Sequence, residues 1–147
     1  KIGAMLGGAS DEDAQKLYDF GVKIGLAFQL QDDWLDVYGD PKVFGKNIGG
    51  DILCNKKTYM LITALEEADE EQRAVLEGWL AAQDYVPAEK IAAVTALYNE
   101  IGVGKRCQEK AEALNAEGFG VLDSINLPEE RKAVLREYAC SMLNRNV

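Results

Sequence analysis

Three aspartates, Asp32, Asp33 and Asp36, stand near the end of residues 11 to 38, a stretch without proline. If that stretch is helical, steps of about 100° per residue place all three within one arc about 100° wide. Gln29 falls in the same arc, as would Asp40 if the helix reached it. Leu26, Ala27, Leu30, Trp34, Val37 and Tyr38 point elsewhere. The helix therefore carries an acidic stripe on one side and apolar surface on the others, the pattern of a central buried helix. Two carboxylates about 6 Å apart repel by roughly 3 kcal/mol at an effective dielectric near 20. Exposed like charges at i, i+4 also weaken a helix, by about 0.2–0.5 kcal/mol. A hard divalent cation removes the conflict, because Mg²⁺ binds carboxylate oxygen while keeping waters and phosphate oxygens. A solvated acidic face that binds no metal is the other reading of these residues alone.

The flanks set the limits of this helix. Lys1 to Ala9 reads as the end of a preceding helix, stopped by Gly7 and Gly8. Ser10 followed by Asp13 approximates a capping box, and Glu12 adds negative charge to the first turn. The long helix then runs from about Asp11 to Tyr38, and Gly39, Asp40 and Pro41 end it. Gly21 and Gly25 lie on the side of the acidic stripe, for close helix packing or as room for a ligand. Residues 40–50 form a glycine-rich loop with Lys42 and Lys46, cations that suit phosphate; the G-x-x-x-x-G-K-[ST] pattern of a P-loop is missing. Asp51 is expected to cap a second helix from about Ile52 to Ala68, with Lys56 near its start.

The remainder reads as amphipathic helix. DEEQRAVLEGWLAAQ forms one, and Pro87 starts another with Ile91, Val94, Ala96 and Leu97 spaced for burial. Gly102 and Gly104 mark a break or kink, and Lys105 to Ser124 resumes with Cys107, Ala111, Leu114 and Phe119. Pro128 opens the last helix, with acids first and Arg145 last. No apolar/polar alternation argues for strands, so the fold class is all-α. Glu66, Glu67, Asp69, Glu70 and Glu71 read as a solvated junction, and Trp79 and the other aromatics as core.

Composition narrows the chemistry. The net charge of −9 opposes binding to nucleic acid or an anionic membrane surface. The absence of His excludes His triads, His metal ligands and His proton shuttles. Cys54, Cys107 and Cys140 are widely spaced and read as reduced core thiols of a cytoplasmic protein. No apolar run reaches the roughly 20 residues of a membrane span.

The run FQ-x-x-DD-x-LD-x-x-GD, then GK, then GGDI-x-x-NK, resembles the second aspartate-rich region of the trans-isoprenyl diphosphate synthases, which include farnesyl and geranylgeranyl diphosphate synthases. The likeness is dense near residues 28–57 and looser elsewhere. It implies an isoprenoid-synthase-type helical bundle, of which residues 1–147 are the C-terminal half of one domain. It also implies an Mg²⁺-dependent prenyl transfer from an allylic diphosphate to isopentenyl diphosphate, in a homodimer. On this likeness Asp32, Asp33 and Asp36 are metal-binding, and Asp32, Gln29 and Lys46 serve catalysis. Lys1, Phe28, Gln29, Lys46 and Lys56 contact substrate. Ile2 stands where the family usually has Thr after the lysine matched by Lys1. The family's first aspartate-rich region has no counterpart here, so this polypeptide alone is not expected to turn over substrate.

Two other classes compete. A non-catalytic helical partner of such a synthase usually lacks the aspartates, and all three are present. A terpene cyclase of the same fold usually carries a second motif of the N-D-x-x-S-x-x-x-E type, which is absent.

Overall fold

The computed structural model describes residues 1–40 and 48–143, and every regular element among them is helical. Helix α1, Ile2–Leu6, stops at Gly7, and Gly8 follows in the left-handed region (φ 81°). Ser10 then starts α2, Asp11–Tyr38, by accepting the Asp13 N–H at 3.1 Å. Its hydroxyl donates to the Asp13 carboxylate at 3.1 Å, so the expected cap forms. Helix α2 spans 28 residues and therefore about 42 Å.

The expected second helix is broken in two. Helix α3, Gly50–Leu53, ends after a single turn, and α4, Tyr59–Glu67, begins anew with Thr58 as cap, its hydroxyl accepting the Leu61 N–H at 3.2 Å. Asn55 makes the break. It sits in the left-handed region (φ 52°), its N–H donates to the Ile52 carbonyl at 3.2 Å and the Lys56 N–H reaches the Asp51 carbonyl at 2.9 Å. Those two bonds are the Schellman pattern, with Asn where Gly is commoner.

Helix α5, Glu70–Ala81, is capped by Asp69 and Gln72 in a reciprocal box. Pro87 opens α6, Pro87–Ile101, and left-handed Gly102 separates it from α7, Val103–Asp123. Gly104 is no break. It lies within α7, where a Cβ would come 2.8 Å from the Tyr38 ring. Helix α8, Glu129–Leu143, completes the described chain.

The chain forms two compact units. In one, Leu30–Glu109, the end of α2 packs with α3 to α6 and the start of α7 around Val37, Met60, Leu61, Leu76, Val94 and Leu97. Among the helical positions expected to be buried, Ala96 is exposed. In the other, the first unit in chain order, Lys1–Gln29 with residues from Lys110 onward, Phe20, Ile24, Leu122, Ile125 and Ala139 form a smaller core. Here a Cβ on Gly118 would come 3.0 Å from Ile24. Gly21 and Gly25 are exposed, and nothing among the described residues lies within 4 Å of a Cβ built there, so of their two readings close packing is not found among these residues. Tyr18 and Tyr138 are likewise exposed rather than core, and of the three cysteines only Cys107 is buried.

Candidate functional site

The last turns of α2 carry the acidic residues, and packing gives each a different setting. Val37, one turn beyond Asp33 on the same side of α2, belongs to the apolar core, and Asp33 beside it is buried at 5% exposure. A buried carboxylate needs a compensating charge or hydrogen bonds. Lys56 supplies one, with Nζ 2.9 Å from Asp33 Oδ1. The same Nζ lies 2.7 Å from Asp51 Oδ2, so one ammonium ties two carboxylates. These hydrogen bonds, to Asp51 first and Asp33 second, hold the Lys56 ammonium above the ordinary lysine range.

Asp36 is half-buried and holds the chain that returns from residue 48 onward. Its carboxylate accepts the Asp51 N–H at 2.8 Å, and its carbonyl accepts the Gly49 N–H at 2.6 Å. The paired glycines make that approach possible. Gly49 is left-handed (φ 86°), and a Cβ there would meet Ile91 at 2.7 Å. A Cβ at Gly50 would lie 3.4 Å from the Asp36 carboxylate. Burial pushes the Asp36 carboxyl above the usual carboxylate value. The Asp51 N–H draws it down, while the negative charges of Asp51 and Asp32 raise it. Asp32 itself is exposed.

The donor set is hard carboxylate oxygen. Among the described residues no three acidic or thiol groups converge on a single cation position. Carboxylate oxygen is the donor Mg²⁺ takes, one or two groups from the protein with water and phosphate completing its octahedron.

The remaining sequence candidates are placed as follows. Lys1 is exposed in the first unit, where its Nζ donates to Gln15 Oε1 at 2.6 Å and lies 6.0 Å from the Tyr18 ring centre. Phe28 is half-buried and Gln29 exposed, both in that unit. Lys46 lies outside the described residues. Of the candidates, then, Asp33 and Lys56 are brought into direct contact. Sequence reasoning gave Asp51 the role of a helix cap and missed its charge pairing with Lys56. It also missed Lys90, whose side chain is buried against Asn55. The readable signal was position: Lys90, Val94, Leu97 and Tyr98 share one face of α6, and the last three are core.

The sequence model of the polyprenyl synthetases matches residues 1–101. The chain belongs to the polyprenyl synthetase family. It is 36% identical over 137 residues to a short chain isoprenyl diphosphate synthase of Methanothermobacter thermautotrophicus, covering 93% of this chain and 38% of that one. A polyprenyl synthetase structure from Streptomyces coelicolor superimposes with a TM-score of 0.87 at 29% identity, over 97% of this chain and 44% of that one. A geranylgeranyl pyrophosphate synthase from Corynebacterium glutamicum, solved with isoprenyl diphosphate and magnesium, gives 0.84 at 32% identity. It covers 99% of this chain and 41% of that one. The chain thus spans less than half the length of these polyprenyl synthetase relatives. The family's all-α fold is the one the chain adopts.

Proposed function

We propose that residues 1–147 form the C-terminal half of a single isoprenoid synthase domain, in a prenyltransferase that joins an allylic diphosphate to isopentenyl diphosphate. The observation that carries this reading is the Lys56 ammonium seated between Asp33 and Asp51, with Asp36 accepting the Asp51 N–H and Asp32 exposed on the same helix as Asp33 and Asp36. It is an anion-handling cation embedded in carboxylates, the equipment for a diphosphate that arrives with metal. Membership of the family and the resemblance of the 28–57 stretch support the same reading.

In the reaction the allylic C–O bond breaks and pyrophosphate departs with the electron pair. The double bond of isopentenyl diphosphate attacks the resulting cation, and a proton is lost. Bound Mg²⁺ would neutralise charge on the leaving diphosphate. Asp32 and Asp36 would hold it, with Asp33 contributing through Lys56 or a bound water. Lys56, with Lys46 and Lys1, would contact the allylic diphosphate; Phe28 would touch isopentenyl diphosphate, and Gln29 would steady the cationic centre. No step requires an imidazole, in keeping with a chain that has none. The enzyme is a homodimer of the cytoplasm, a setting that suits three free cysteines.

The exposed apolar side chains of Ile2 and Leu6 on α1 and of Tyr18, Val22 and Leu26 on α2 support the half-domain reading, because apolar surface of this kind is what a partner segment covers. The test is turnover. The full-length enzyme, given both diphosphates and Mg²⁺, should yield a longer prenyl diphosphate, and residues 1–147 alone should yield none. Product from the short polypeptide would overturn the half-domain reading, and none from the full-length enzyme would overturn the activity.

A further inference from the structure

Lys90 is 1% exposed, one of the most deeply buried side chains in the protein, and among the described residues no carboxylate pairs with it. Burying a lysine without an acidic partner is costly unless other groups receive its hydrogens. Two features receive it here. Nζ donates to Asn55 Oδ1 at 2.7 Å and lies 4.4 Å from the centre of the Tyr85 ring, within cation–π range. Asn55 is itself tied on its other side, its amide donating to the Leu80 carbonyl at 3.0 Å. Tyr85 in turn donates to the Leu53 carbonyl at 3.2 Å, at the end of α3.

The Lys90 and Leu80 bonds meet on Asn55, in the turn that separates α3 from α4, and the Tyr85 bond holds Leu53 just before it. Asn55 holds the left-handed position of that turn, a conformation Asn adopts more readily than most L-residues but still at some cost in energy. Lys56 is the next residue, so the rotation at Asn55 sets the direction in which its side chain leaves the backbone. That side chain must reach Asp33 and Asp51 together. A cavity of about 10 Å³, room for one water centre, is lined by both Lys56 and Lys90, with Asp51, Asn55 and Thr58.

We propose that Lys90 is a positioning residue: acting through Asn55, it holds the left-handed turn that aims Lys56 between Asp33 and Asp51. It does not touch the diphosphate. This inference rests on the reading of Lys56 as a diphosphate contact, and it adds the device that orients that contact.

Hydrogen exchange and steady-state kinetics of the full-length enzyme test it together. In Lys90→Met the Asn55 and Lys56 amides should exchange at least roughly tenfold faster, while the Ala68 amide on α4 stays within about threefold. The KM for the allylic diphosphate should rise roughly tenfold and that for isopentenyl diphosphate should hold. In a Lys56→Met background the Lys90→Met change should add nothing to the first KM, the non-additivity of residues acting through one another. Asn55→Ala, which removes both tethers while the left-handed position still costs an L-residue energy, should reproduce these effects and serves if Lys90→Met does not fold. Unchanged exchange at Asn55 and Lys56, or KM effects that multiply across the two lysines, would overturn the proposal. If the wild-type enzyme shows no prenyl transfer, the functional reading falls, and the exchange experiment alone then decides whether Lys90 holds the turn.

Discussion

Two stretches of one helix are enclosed to different degrees: Phe20 and Ile24 anchor the earlier one in the core of its unit, yet another of its faces stays open. Near the end of α2, Leu35 and Val37 are buried and even Asp33 is enclosed. Towards its start, Tyr18, Val22 and Leu26 lie open, Leu26 at 50% exposure, with Gly21 and Gly25 bare among them. The periodicity of the two stretches is alike, and both read as buried. The difference lies in what the chain packs against each. Residues 30–109 surround the end of α2 with successive short helices, and the Lys56 ammonium folds back onto its Asp33. The lesson is that apolar periodicity identifies a face that requires a neighbour, without saying whether the neighbour lies in the same segment.

The comparison is sharpened most by a pair of truncations. Leu76, fully buried in the core of the second unit, should cost about 4 kcal/mol as Leu76→Ala, within the range for buried leucines. Leu26→Ala in residues 1–147 should fall within about 0.5 kcal/mol, as surface changes do. Urea denaturation measures both, and equal losses would erase the contrast.

Ion pairs offer a second contrast. Lys56→Met leaves the enclosed Asp33 without its counter-charge and should destabilise by up to about 3 kcal/mol, because the orphaned carboxylate stays buried. Lys23 pairs with Glu117 at 2.5 Å in the first unit, where Glu117 is well exposed, and Lys23→Met should cost at most about 1 kcal/mol.

The two pairs also respond to opposite ends of the pH scale. The Lys56 value is raised, so its stabilisation is full below the ordinary lysine value of 10.5 and is lost as pH climbs through the raised one. The Glu117 carboxyl is lowered by the Lys23 hydrogen bond, so its stabilisation is full above the ordinary 4.5 and fades as pH falls through the lowered value. Melting temperatures of wild type and Lys56→Met should converge only above pH 10.5, and those of wild type and Glu117→Gln only below 4.5. The smallest effect concerns the thiols. Burial, with the Asp33 charge adding to it, pushes Cys107 up to about 12, so at pH 8 alkylation of the native chain should mark Cys54 and leave Cys107 unmodified, by mass spectrometry.

Much of this was legible beforehand, for identifiable reasons. Helix α2 announced both its ends, because Ser10 and Gly39 act through local bonds to neighbouring residues. The all-α class followed from periodicity. The acidic stripe and Lys56 stood out as residue types whose proximity demands a chemical reason. What local reasoning lost was long-range. The break at Asn55 looked like continuous helix, and the side-chain and carbonyl groups that bond to Asn55 and Leu53 there belong to Leu80, Tyr85 and Lys90, 25 to 35 residues away. The pairing of Lys56 with Asp33 spans 23 residues and depends on that break. Gly104 resembled a helix breaker, and only the Tyr38 ring shows why a side chain is excluded there.

The central claim is that the carboxylates at the end of α2 hold pyrophosphate through magnesium. Calorimetric titration of pyrophosphate into the full-length enzyme, with and without Mg²⁺, tests it directly. The account predicts binding that requires Mg²⁺ and weakens at least about tenfold in Asp32→Asn, as loss of a metal-holding group should. Equal affinity with and without the metal, or an Asp32→Asn enzyme that binds as wild type does, would contradict it.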